Sequence, residues 1–112
     1  MTKIGENNHP SNSPNSKFYH KDLETHLLKF EKALGSYTKS QGDERTRLQS
    51  VMDDHLTLIQ SAASEIMTQS IHKFTDKLTK DYHDYLAFNS DEHFAAVKQD
   101  LQTIRECNEI YR

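Results

Sequence analysis

From Asp43 to Arg112 the chain carries neither a glycine nor a proline. All three glycines (Gly5, Gly35, Gly42) and both prolines (Pro10, Pro14) fall in its first 42 residues. A stretch that long without a breaker favours helix, and only weaker signals are left to end one. Within it Leu48, Met52, Leu56, Ile59, Ala63, Met67, Ile71, Phe74, Leu78, Tyr82 and Tyr85 form one apolar row, whose ten steps average 3.7 residues. That spacing is closer to the 3.6-residue turn of a straight helix than to the 3.5 repeat of a left-handed coiled coil. The row therefore predicts a central helix over 44–88. The small residues Gln60-Ser-Ala-Ala-Ser64 are its weakest stretch, and continuity through them is the expectation.

Two shorter helices flank it. Tyr19, Leu23, Leu27, Phe30 and Leu34 recur at helical spacing, widened by Leu28 and Ala33, and predict a helix over 17–35 between a Ser16 cap and a stop at Gly35. Asp43 would cap the next helix and pair with Arg47 one turn later. Asn89, followed three residues on by Glu92, resembles a capping box and opens a helix over 90–110. That helix carries Phe94, Val97, Leu101, Ile104 and Tyr111, with Asn108 interrupting the row. Residues 1–16, rich in Asn, Ser and Pro with only Met1 and Ile4 apolar, read as a disordered polar tail. The fold class is all-α: three antiparallel helices with one long central member. The alternative is a break in that helix, which would let four segments close into a bundle.

The three-helix arrangement has a covering problem. Val51, His55, Leu58 and Ala62 make a second row beside Met52, Leu56, Ile59 and Ala63, and one antiparallel neighbour does not shelter both. A homodimer or a heteromeric helical partner would supply the missing cover. The predicted partner-binding residues are Val51, Met52, His55, Leu58, Ile59 and Ala62, with Met67 and Ile71 behind them. The methionines suit a surface that repacks against its partner.

Composition narrows the remaining classes. The hydrophobic fraction is 34%, which is thin for a globular domain and leaves no second rich core. The formal charge of −3 is spread along the chain with no basic stripe, so neither nucleic-acid binding nor an anionic membrane surface is expected. No segment approaches the length of a membrane-spanning helix, and the N-terminal residues lack the apolar region of a signal peptide. A single cysteine, Cys107, forms no internal bridge and reads as a half-buried residue near a helix end. A cytoplasmic protein is the expectation, and export by a route independent of a signal peptide is compatible with the polar leader.

Catalytic and ligand chemistry find little purchase. Seven histidines invite a metal, yet the chain has no HExxH and no Glu-x-x-His on any of its predicted helices, and the best helical pair, His72 with Asp76, supplies two ligands rather than three or four. Most histidines read as solvent-facing. His55, on an apolar row, reads as an interface residue whose titration would make association pH-sensitive. The helical acids Glu24, Glu31, Asp76 and Asp100 read as solvated. No glycine-rich phosphate loop or nucleophile elbow occurs. The expected function is a non-catalytic helical interaction module, such as an adaptor, assembly subunit or chaperone-like partner, with no cofactor and no bound metal. A small ligand- or metal-binding bundle is the alternative.

Overall fold

A computed structural model describes residues 14–111 and contains four helices: α1 (Pro14–Tyr37), α2 (Gly42–Ser64), α3 (Gln69–Phe88) and α4 (Asp91–Tyr111). The expected tail over 1–16 lies outside the described residues except for 14–16, which already belong to α1. Proline suits a first helical turn because its missing N–H has no partner to lose there. Each helix adjoins the next, α4 returns to α1, and no packing links α1 with α3 or α2 with α4 by backbone proximity. The helices therefore occupy the corners of a square, each antiparallel to its neighbours.

The single central helix is corrected by this arrangement, and the four-helix alternative holds. The break falls at 65–68, just past the small-residue stretch. The Ser64 hydroxyl donates to the Ser61 carbonyl at 2.7 Å, and the N–H groups of Glu65 and Ile66 bond three residues back, to Ala62 and Ala63. These bonds tighten the last turn and end it. Thr68 is extended, and its carbonyl accepts the first N–H groups of α3, those of Ile71 and His72. The side-chain phase shifts at the same point. Ile66, not Met67, drops into the core at 1% exposure, while Met67 is left 71% exposed. His72 Nε2 lies 2.6 Å from the Ile66 carbonyl and fastens the turn to the helix that follows.

Folding α3 back resolves the covering problem within one chain. Met52, Ile59, Ala62 and Ile71 are buried, and Val51 packs half-buried against the core. The row 51/55/62 faces α1, where His55 meets His26. The opposite flank of α2 faces α3, where Asp53 accepts a 2.6 Å hydrogen bond from Tyr82 and Gln60 donates to Thr79. Ala33 at one end of the α1–α2 seam and Ala62 at the other are both buried, so this hairpin packs closely. Phe30 and Tyr82 meet edge to face across the middle of the bundle, 5.2 Å between ring centres.

The helix ends differ from expectation by a residue or two. α1 runs through Gly35 to Tyr37, because Tyr37 is buried and Arg45 covers its ring at 3.9 Å while donating to its carbonyl at 2.8 Å. α2 opens at Gly42, whose φ of +60° is the left-handed conformation glycine adopts without strain. Arg47 pairs with Glu44 at 2.7 Å rather than with Asp43. Asn89 closes α3 as a left-handed cap, its N–H 2.7 Å from the Tyr85 carbonyl. Ser90 is the residue that caps α4, its hydroxyl accepting from the His93 N–H at 3.2 Å.

Candidate functional site

With the core closed, the outer face of the α1–α2 hairpin holds what remains of the predicted partner surface. Met52, Ile59, Ala62 and Ile71 lie inside the bundle. Val51 and His55 sit half-buried along the seam with α1. Leu58 points outward at 41% exposure, and Met67 projects from the turn beyond α2. The structure adds a residue that the apolar stripe of α1 did not contain. Phe18 lies on the side of α1 opposite that stripe and is 60% exposed, with Tyr19 edge-on to it at 5.3 Å. The antiparallel register fixed by His26 opposite His55 sets Phe18 level with the end of α2, so Phe18 and Leu58 lie along the same part of the hairpin, with Met67 in the turn beyond it. The signal for Phe18 in the sequence is an aromatic half a turn out of phase with the core row.

Polar groups edge this face. The Nδ1 atoms of His26 and His55 are 3.0 Å apart across the seam, and His26 Nε2 is 3.3 Å from the Asp22 carboxylate one turn earlier on α1. Burial pushes the His55 pKa down, His26 and Lys29 push it further down, and Asp54 opposes them. His26, with its side chain 14% exposed, departs from the expectation of solvent-facing histidines. His20 departs further: it is 3% exposed, and Asn108 clasps it across the α1–α4 seam. The Asn108 Oδ1 lies 2.6 Å from His20 Nδ1, and its Nδ2 donates to the His20 carbonyl at 2.8 Å. The interruption of the α4 row at Asn108 is thus a buried polar lock between first and last helix.

The α3–α4 seam holds a second buried polar group. Asp100, expected to be solvated, is 2% exposed, because Lys77 reaches over from α3 to 3.1 Å and draws in Asp81 at 2.7 Å. Burial raises the Asp100 pKa to about 6, the adjacent Asp81 carboxyl adds to the rise, and Lys77 opposes it. Asp81 is held below its ordinary value, first by the adjacent Asp100 carboxyl and then by Lys77. The Asp100 Oδ2 has no hydrogen-bond partner. Tyr82 is raised by burial and by its bond to Asp53.

Open grooves rather than enclosed cavities mark the surface. One of about 400 Å³ runs between α2 and α3 past Gln49, Asp53, Thr57, Gln60, His83 and Leu86. A second, also of about 400 Å³, continues toward the turn past Ser64, His72 and Asp76, so the pair singled out for metal binding lines its wall. Among the described residues no three His, Cys, Asp or Glu side chains converge as metal ligands, and no helix is long and apolar enough to cross a membrane. Cys107 is half-buried against the core. Compared with known proteins, the chain matches no family model, no curated protein and no solved structure.

Proposed function

We propose that this chain is a non-catalytic helical interaction module that docks a helix of another protein on the outer face of its α1–α2 hairpin. The observation carrying the proposal is the exposure of Phe18 and Leu58, one on each helix of that hairpin, with Met67 exposed in the turn just beyond it. Single exposed apolar residues need no explanation, but a group on one face of a small bundle supplies anchors for an amphipathic helix. Leu58 and Met67 come from the set expected at the sequence level, and Phe18 joins them from α1.

The closed core favours a transient partner over an obligate second copy. Obligate dimers bury large apolar interfaces, and here the long apolar rows of α2 and α3 are already spent on the chain's own bundle. On this reading the protein is monomeric by itself, and the face binds a smaller, non-obligate surface. The test compares native protein with Leu58→Asp and Phe18→Asp variants. Light scattering reports mass, and affinity capture is followed by titration of the recovered, purified partner. A monomer throughout, with partner affinity reduced at least about ten-fold in each variant, supports the reading. A native dimer, or a partner held equally by both variants, overturns it.

A further inference from the structure

We propose that His26 and His55 form a proton-operated latch on the α1–α2 seam, closed with up to one extra proton on the pair and opened by a second. The inference stands on the seam itself and does not depend on which partner the outer face binds.

The geometry dictates where the protons sit. An ionised Asp22 beside His26 Nε2 places a hydrogen on that nitrogen, which leaves His26 Nδ1 as a lone pair. At 3.0 Å, His55 Nδ1 must then carry the hydrogen and donate it across the seam. One added proton is accommodated. With that proton on His26, the ring donates from both nitrogens, to Asp22 and to His55, while His55 moves its own hydrogen to Nε2. A second added proton is not accommodated. Both rings are then cations, and two N–H groups point at each other across a gap that previously held one shared hydrogen. The hydrogen bond becomes a repulsion in a half-buried position, where screening is weaker than in bulk water.

The charges around the pair set the order of these steps. From α1, Asp22 supports the charge on His26, while Lys29 opposes charge on His55. From α2, Asp54 favours charge on His55 more weakly than burial, His26 and Lys29 disfavour it. α3 and α4 pack on the other side of the hairpin, where Asp53 is taken by Tyr82 and Glu31 lies 3.5 Å from Arg105. Two histidines fall short of the three or four protein ligands that a bound transition metal usually takes, so a proton is the occupant this pair fits. The sign follows from the lowered His55 value. The native seam binds the second proton less readily than the unfolded chain, so the stability it contributes is complete above the ordinary histidine pKa. It is lost as pH falls below that value.

The test uses full-length labelled protein. Imidazole nitrogen spectra report tautomers, and amide exchange, corrected for its intrinsic pH dependence, reports opening. At pH 7.5 the spectra should show hydrogen on His26 Nε2 and His55 Nδ1. Between pH 7.5 and 5, amides near residues 22–29 and 51–58 should become at least about ten-fold less protected, with no such loss along α3 and α4. His55→Gln and His26→Gln, which keep an amide able to hydrogen-bond across the seam, should each abolish the acid response. Melting at pH 7.5 shows that each variant is folded, and either one alone decides the matter. Independent titration of both rings at ordinary values, or an acid response that survives in a folded variant, overturns the latch.

Discussion

Replacing Asp100 with asparagine should stabilise this protein at neutral pH, although Asp100 is buried and hydrogen-bonded. Its carboxyl is lifted from an ordinary 3.8 to about 6, chiefly by burial and also by Asp81. An acid whose pKa is higher in the folded state holds its proton more tightly there. The favourable contribution is therefore complete below the unfolded value of 3.8 and is lost as pH rises toward 6. At about 1.36 kcal/mol per pKa unit, keeping the ionised group inside costs on the order of 3 kcal/mol above pH 6. The amide of an Asp100→Asn variant would carry no charge and would still accept from Lys77. Its amide nitrogen would replace Oδ2, which now lacks a partner, and would remove the anion that opposes Asp81. Burying the amide and removing one anion from Lys77 return part of the gain. The net expectation is about 1–2 kcal/mol at pH 7.5, or roughly 5–10 °C in Tm for a domain of this size. Denaturation at pH 7.5 and 4.5 checks it, since native Asp100 is protonated at the lower pH and the advantage of the amide should shrink by about 2 kcal/mol. An Asp100→Asn protein destabilised equally at both values would refute the assignment of a buried, reluctantly ionised carboxylate.

Other perturbations have simpler outcomes. Asn108→Ala strips the buried His20 ring of its partner and removes the second bond to the His20 carbonyl, and should cost about 1–3 kcal/mol in urea denaturation. Tyr82→Phe removes the bond to Asp53 but leaves that exposed carboxylate free to meet water, so calorimetry should show a loss of only about 0.5–1.5 kcal/mol. Leu58→Asp, on an outward-facing position, should leave helicity unchanged and stability within about 0.5 kcal/mol by circular dichroism and melting.

Helical spacing carries most of what is legible in this chain. The stripe of α1 was readable because Leu23, Leu27, Phe30 and Leu34 repeat without interruption, and all four are fully buried. The central break was not readable from breakers, because none stands there. Glu65-Ile-Met-Thr68 ends a helix through a side-chain bond from Ser64 and a change of phase from Met67 to Ile66. A row that skips from Ala63 to Ile66 to Ile71 fits two helices, whereas one drawn through Met67 fits one, and spacing alone does not choose between them. The same ambiguity governed the partner surface. The excess of apolar residues on α2 was real, but whether a second chain or the second half of the same chain covers it depends on that single turn. Of the polar features, His55 stood out by its place on an apolar row. Asn108 stood out only as an interruption of its row, and Asp100 and His20 not at all, because partners on other helices, Lys77 for Asp100 and each other for His20 and Asn108, make their burial tolerable.

The turn at 65–68 decides which apolar faces this chain covers itself and which it leaves exposed. A distance measured across that turn tests it most directly. Spin labels at Gln49→Cys and Leu86→Cys, with Cys107→Ser, would probe two residues that line one groove between α2 and α3. The closed bundle predicts a single narrow distance distribution, under about 25 Å once the label arms are included. A continuous helix through the turn would separate the same positions by about 55 Å at 1.5 Å per residue, and a distribution centred there would contradict the account.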